Sequence, residues 1–339
     1  MRRFYLDKGI GETRGVVTLD GRPERLLIAR DGDDPAQMQG ARSVARVRKV
    51  DRALWTAFLE LPGGASAVLS LKVERLVEGQ AVEVEIKSEA RGDKSATARL
   101  IGAAEGVPRL LEAAPDLEAE LRALAKNRKV VDGAAAHEAA DEAEAEALEI
   151  VHPLPGGGSL AIEETRALVA IDVDVGERQG SDSKRVTRQA NLTALGVAAR
   201  LLRVKGLGGL VVFDLAGRGH DGQALLAAAR TAFAPDNPGV AISPISRFGT
   251  MELTVPRRRR PVLDLLRGDS PRTNALRLIR MLEREGQASP GARLNAACSP
   301  AVAQAATLYE SALADRLGRR FAIAPRDGWP DDRLEVSGQ

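Results

Sequence analysis

Two apolar runs that each close on an aspartate constrain this chain more than any other feature: ALVAIDVDVG, which reaches Asp172, and GGLVVFDLAG, which reaches Asp214. Between them, from about residue 182 to 204, Val186, Ala190, Ala194, Val197, Ala198, Leu201 and Leu202 recur at helical spacing. Strand, helix and strand of these lengths make a crossover unit, which sets the two strands parallel. Both acids then arrive at the same edge of one sheet. On neighbouring strands, about 4.8 Å apart, their carboxylates converge outside the carboxyl ends of the strands, where open sheets bind ligands. Such a pair suits a hard divalent cation, because Mg²⁺ keeps several waters and takes one or two carboxylates together with phosphate oxygens. Taken singly, a strand-end aspartate is more often a turn or capping residue.

The net charge of +2 conceals a segregation. Glu138, Asp141, Glu142, Glu144, Glu146 and Glu149 crowd one segment, which reads as the solvated face of a helix. The later half carries Lys184, Arg185, Arg188, Arg200, Arg203, Lys205, Arg247 and the run from Arg257 to Arg260. Basic charge around an acidic pair is what a polyanion held over a metal requires. Aromatic residues make up 3% of the chain, so any platform for stacking bases has few members. Cys298 is the only cysteine, which excludes a disulfide framework and a cysteine-based zinc site within one chain. With no signal-like start and no apolar run of membrane-spanning length, the expectation is a cytoplasmic, non-membrane protein.

The expected fold class is a multidomain α/β and α+β chain in five parts. Residues 1–38 read as an N-terminal β segment of hairpins turning at the Asp-Gly pairs 20–21 and 31–32. Residues 39–100 hold five strand-like runs, SVARVRKV, LWTAFLEL, ASAVLSLKV, QAVEVEIKSEA and KSATARLIG, which describe a small closed barrel. Trp55 and Phe58, three apart, should face opposite sides of their strand; Lys72, Lys87, Arg91 and Lys94 are candidate phosphate contacts. Residues 101–152 form a helical, acidic connecting region with a break at 131–133, and HPLPGGGS marks a boundary. Residues 153–260 give the order β-β-α-β-α-β, with VAISPIS as the last strand, and residues 261–339 a small C-terminal unit of two helices and a strand.

The strings GGSLAIEETRALVAIDVDVG, QANLTALGVAARLLRVKGLGGLVVFDL and ISRFGTMELT, with TAFLEL and the ARGDKSA turn before them, resemble the ribonuclease E/G family of bacterial endoribonucleases. The resemblance implies an OB-fold RNA-binding barrel in the N-terminal part and a layered, DNase I-like catalytic domain that cuts single-stranded RNA with Mg²⁺, or Mn²⁺ in its place. It implies that Asp172 and Asp214 hold the metal, that Phe58 and Lys94 belong to the barrel's RNA-binding surface, and that single-stranded RNA is the partner. Arg247, in the ISRFG string, is the further candidate RNA contact.

The chain departs from the family pattern in three places. Asp174 stands where the family has asparagine, as a third catalytic carboxylate or as a source of repulsion for the scissile phosphate. The cysteines of the family's zinc link are missing, so no zinc is expected and a homo-oligomer, if formed, is not zinc-linked. The region before HPLPGGGS is too short for a full 5′-end sensor. His220, in GRGHDG, reads as a surface-loop histidine. The rival to an endoribonuclease is an RNA-binding regulatory paralogue with weak or no cleavage, favoured by Asp174, by Val68 where the family tends to place a second ring, and by the shortened sensor region.

Overall fold

Alternating apolar residues, a turn at residues 9–11 and the Asp20-Gly21 turn set up the first sheet of the computed structural model, which describes residues 1–72, 75–177, 182–266 and 270–339. The Asp31-Gly32 pair follows the sheet's third strand and, contrary to expectation, closes no hairpin. Strands β1 (Arg2–Lys8), β2 (Glu12–Leu19) and β3 (Arg22–Arg30) pair antiparallel in sequence order. The barrel follows: β4 (Arg42–Asp51), β5 (Thr56–Glu60), β6 (Ser66–Ser70), β7 (Ala81–Ser88) and β8 (Ala96–Ala103), with β9 (Arg109–Glu112) added beside β4. The strand order β5-β6-β8-β7-β4, closed by pairing of β4 with β5, makes a five-stranded barrel whose β6–β8 contact is parallel. This closure fits an OB-like fold. Val47, Ala57, Leu59, Leu69, Val84 and Ile86 fill its interior.

The stretch expected as a connecting region completes the first sheet instead. Helix α1 (Leu117–Ala125) packs Leu117, Leu121 and Ala125 against Phe4, Leu6, Val17 and Leu27. Strand β10 (Val130–Val131) then pairs parallel with β1, and α2 (Ala134–Leu148) lays its alanine stripe on the other face against Val16, Leu26 and Ile28. The acidic residues of α2 are not simply solvated: Glu144 pairs with Arg14, Glu146 with Arg200 at 2.7 Å, and Asp141 with Arg284. The barrel is thus inserted between β3 and the rest of a layered α/β unit.

A second sheet carries β11 (Val151–Pro153), β12 (Ser159–Glu164), β13 (Val169–Asp174), β14 (Gly209–Asp214), β15 (Ala241–Ile242) and β16 (Thr250–Val255) in the order β11-β12-β13-β14-β16-β15. The crossover helix α3 (Ser183–Lys205) starts on the side-chain cap of Asp182 and stops at Gly206, which takes φ 66°. It and α4 (Gly222–Phe233) cover one face of the sheet through Leu195, Ala198, Leu202, Leu225 and Phe233. VAISPIS contributes only the two edge residues of β15, since Pro244 ends the pairing; the inner strand β16 was not foreseen.

After α5 (Val262–Leu266), the C-terminal unit contains α6 (Pro271–Ala288), β17 (Leu294–Cys298), α7 (Pro300–Ala306), α8 (Glu310–Leu317), β18 (Phe321–Pro325) and β19 (Glu335–Gly338). β17 sits between β18 and β19. Cys298 is fully buried in the core of this unit, which closes the route to an intermolecular thiol contact in the folded protein. No helix among the described residues is long and apolar enough to cross a membrane.

Candidate metal and RNA site

Strands β13 and β14 are parallel neighbours, and their register sets Asp172 directly opposite Asp214. Ala161 of β12 lies on one side of this pair and Thr250 of β16 on the other. Period-two alternation drives Val169, Ile171, Val173, Val211 and Phe213 into the core under the helices. Asp172, Asp174 and Asp214 turn to the opposite, exposed face. The helices cover only one side, so the acids sit on an open sheet face rather than in a crevice between helix layers. Neither the Asp172 nor the Asp214 side chain has a hydrogen bond or an ion pair to any described residue. Two unpartnered carboxylates at adjacent strand positions meet the chemical requirement of a hard cation that keeps most of its water.

Asp174 behaves differently. It lies one pair further along, beyond the end of β14, and its Oδ1 accepts the N–H of Gly176 at 2.9 Å. Among the described residues no group of three His, Cys, Asp or Glu is close enough to hold a metal, so the acids that meet are Asp172 and Asp214. The turn after Asp174 rests on the PGGGS loop: a Cβ on Gly158, at φ +75°, would lie 2.3 Å from the Asp174 carbonyl oxygen. Only glycine fits there.

The loop following Asp214 is held by a residue that the sequence reading overlooked. Asn191 of α3 is fully buried; its Nδ2 donates to the Ala216 carbonyl at 3.0 Å and its Oδ1 accepts the Ala216 N–H at 3.0 Å. An amide on the apolar stripe of a long helix is the signal that marks it. At the end of the same loop Asp221 caps α4 and pairs with Arg188 of α3 at 3.3 Å.

Opposite Asp214, Thr250 begins β16, so the preceding turn rises at the same edge. Ser246 closes that turn, its hydroxyl 2.7 Å from the Thr250 hydroxyl. Arg247 then stacks its guanidinium 4.7 Å from the centre of the exposed Phe248 ring. A cleft of about 870 Å³ separates this turn from the loop after Asp214 and is lined by Arg218, His220, Arg247 and Phe248 among others. His220 is not the surface histidine expected. It is half-buried, and its Nε2 is enclosed without a hydrogen-bond partner among the described residues.

The other expected cations do not gather around the acids. Helix α3 has 23 residues and is therefore about 34 Å long; Lys184 and Arg185 start near the acid end, whereas Arg200, Arg203 and Lys205 lie at the far end. Arg200 binds Glu146, and buried Lys205 donates to the Ala147 carbonyl at 2.9 Å, capping α2. Strand β16 runs away from Asp214, which carries Arg257 to Arg260 to the opposite end. There Arg257 donates to the Gly208 carbonyl at 2.9 Å, Arg259 pairs with Glu120, and Arg260 pairs with Asp33 at 2.6 Å. These arginines tie units together instead of facing the acids.

On the barrel, Phe58 and Val68 are cross-strand partners on the outer wall. Trp55 does not oppose Phe58; both rings are exposed, at 61% and 39%. Trp55 takes φ 50° in the β4–β5 turn, so strand alternation does not reach it. Lys94 lies in the β7–β8 loop, where its Nζ donates to the Arg166 carbonyl at 3.4 Å, beside an Arg91–Glu164 pair at 3.4 Å. That contact sits at the start of β13, so Lys94 belongs to the junction between barrel and sheet and is removed from the Asp172–Asp214 end.

The chain thus sets an OB-like barrel next to a layered α/β sheet that carries, at one edge, an aspartate pair without a side-chain partner among the described residues. Residues 103–260 match the model of the Ribonuclease E/G family. Among curated relatives, the chloroplastic Ribonuclease E/G-like protein of Arabidopsis thaliana is 37% identical over 112 residues, 32% of this chain and 11% of that one. Ribonuclease E of Escherichia coli is 38% identical over 104 residues, 30% and 10% of the two chains. Ribonuclease G of Salmonella typhimurium is 28% identical over 179 residues, 49% and 37% of the two chains. The matches thus span about a tenth of the first two relatives and little more than a third of the last.

Proposed function

We propose that this protein is a metal-dependent endoribonuclease that hydrolyses phosphodiester bonds of single-stranded RNA in the cytoplasm, on a sheet of the DNase I-like type. The observation that carries the reading is the in-register, unpartnered pair Asp172 and Asp214 on the open sheet face. These two carboxylates would hold Mg²⁺, or Mn²⁺ in its place. When bound, the ion supplies Lewis-acid polarisation of a phosphate oxygen and a more acidic water.

The chain's own residues do the rest. Asn191 fixes the backbone that carries Asp214, and Asp174 fixes the turn beyond Asp172. Arg247, with Arg218 across the cleft, meets the RNA phosphates, and Phe248 offers a ring to a neighbouring base. Asp174 takes its catalytic part by positioning, since its Oδ1 is already engaged. Trp55 and Phe58 on the barrel stack bases further along the strand, while Lys94 holds the barrel against the sheet. The C-terminal unit is a candidate surface for a homo-oligomer without a zinc link.

The alternative, an RNA-binding paralogue with weak or no cleavage, is favoured by Asp174, whose added negative charge stands two positions beyond Asp172 on the same strand, and by Val68, which leaves Phe58 without a second ring across the strand pair. A labelled AU-rich single-stranded RNA incubated with the protein in Mg²⁺ or in EDTA separates the readings. Cutting that needs the metal and disappears in Asp214→Ala, with RNA binding retained, is the expected result. Retention of intact RNA with and without metal rejects cleavage in favour of the paralogue.

A further inference from the structure

A second cavity, of about 670 Å³, lies away from the open sheet face, where β3, α1, α3, α4 and residues 255–260 meet. That volume is within the range of small-molecule sites, roughly 300–1,000 Å³. Part of its lining is apolar, through Leu202, Leu207 and Phe233. Another part is cationic, through Arg25, Arg203 and Arg258.

The three guanidiniums meet at one residue, Asp236, two at its carboxylate and one at its backbone carbonyl. Arg203 Nη1 donates to Asp236 Oδ2 at 2.7 Å, Arg25 Nη2 lies 3.8 Å from Asp236 Oδ1, and Arg258 Nη2 donates to the Asp236 backbone carbonyl at 3.4 Å. The nearby Glu24 already accepts two hydrogen bonds from Arg2, at 2.7 and 2.8 Å. On the opposite wall the charges are matched, Arg259 by Glu120 and Arg260 by Asp33 and Glu89. With the Asp236 carboxylate as the only acid paired with them, the three guanidiniums leave an excess of two positive charges at this wall among the described residues. Arg203 is nine-tenths buried, yet its Nε has no hydrogen-bond partner among the described residues. Burial pushes the Arg25 guanidinium below its ordinary range, and Arg203 and Arg258 add to that shift against the opposing pull of Asp236. An anion in the cavity would relieve all of this.

We propose that this cavity binds a nucleoside monophosphate, its phosphate held by Arg25, Arg203 and Arg258 and its base in the apolar part of the lining that is not already core-packed, at Met38, Pro115 and Pro256. A phosphomonoester carries about −1.5 to −2 charges at neutral pH, which matches the local excess; a carboxylate would leave one positive charge uncompensated. The planar guanidinium fork suits phosphate oxygens, and Asp236 keeps the arginines in place between ligands. The ligand touches both the N-terminal sheet and the layer that carries Asp172 and Asp214, so its binding raises the thermal stability of the full chain. The site is separate from the cleft beside Asp214 and stands whether or not the protein cuts RNA.

Calorimetric titration of the full chain with AMP, inorganic phosphate and adenosine tests the proposal. The expected result is AMP binding that is at least about tenfold tighter than either fragment, and at least about tenfold weaker in Arg25→Met/Arg258→Gln. That variant leaves the Arg203–Asp236 pair intact, and an unchanged circular dichroism spectrum verifies its fold. No binding at millimolar AMP overturns the proposal, as does equal affinity in the folded double variant. A 5′-phosphorylated decanucleotide that displaces AMP with the same affinity overturns the assignment to a free nucleotide, because it shows that the cavity reads RNA ends.

Discussion

Glu12 is the residue whose removal should most clearly separate the units of this protein. It is 3% exposed and accepts hydrogen bonds from Arg14 Nε at 2.6 Å, Arg30 Nε at 2.8 Å and Arg280 Nη2 at 3.0 Å, which joins β2, β3 and the C-terminal helix α6. Burial alone would raise its carboxyl; Arg14, Arg280 and Arg30 outweigh that and hold it at about 2, against 4.5 for a free glutamate. A folded-state pKa below the unfolded one contributes stability that is fully present above about pH 4.5 and is lost as the pH falls through about 2. The whole contribution is about 3 kcal/mol, of which roughly 2 kcal/mol is gone by pH 3. Glu12→Gln removes the charge and turns an amide N–H toward guanidinium donors, at an expected cost of about 3–5 kcal/mol at neutral pH. In a Trp55→Phe background the remaining tryptophan, Trp329 in the C-terminal unit, reports urea unfolding by fluorescence. The difference in stability between the chain that keeps Glu12 and its Glu12→Gln variant should shrink by roughly 2 kcal/mol between pH 7 and pH 3. A difference that stays constant over that interval refutes the reasoning, because it would mean that Glu12 does not titrate below its unfolded value.

Two further outcomes follow from the site. Asn191→Ala strands the N–H and C=O of Ala216 and should lower stability by about 2–4 kcal/mol in urea unfolding; it should also weaken Mn²⁺ binding measured by calorimetry, whereas Asn191→Asp, which still accepts the Ala216 N–H, should lose less of both. Trp55→Ala/Phe58→Ala should weaken single-stranded RNA binding at fixed salt by at least about tenfold, since each base–ring stack is worth roughly 1–3 kcal/mol; fluorescence anisotropy would show an unchanged salt slope, and an unchanged affinity would remove the barrel wall from the RNA path.

What the sequence made legible, and what it did not, divides along the range of the interactions involved. The crossover from Val169 to Asp214 is local: each strand carries its own alternation, the helix its own period and cap, and handedness leaves one way to join them, so Asp172 and Asp214 meet by chain geometry alone. The five barrel strands were readable for the same reason. Strand β16 should also have been visible, because Met251, Leu253 and Val255 alternate inward, but its neighbour in the sheet lies across a helix and an edge strand. Residues 101–152 look like a connector until β10 pairs with β1, which lies more than a hundred residues earlier. No local pattern reports that pairing.

The basic residues make the same point with charge. A run such as Arg257 to Arg260 reads as an anion-binding strip when nothing says where its strand points, and the antiparallel register of β16 reverses that meaning by sending the run away from Asp214. Once there, its members meet acids from three distant segments, Asp33, Glu89 and Glu120, and become fastenings between units. Charge on a helix is also diluted by length: Arg188 and Arg203 share α3, yet one pairs with Asp221 beside the acid end and the other lines the enclosed cavity some four turns away. The segregation of charge seen in the sequence is therefore real, but it serves two places. A few cations, Arg218 and Arg247 among them, lie at the end of the sheet that carries the acids, and those at the other end are mostly consumed by α2 and its neighbours, except around Asp236, where the arginines outnumber the acids.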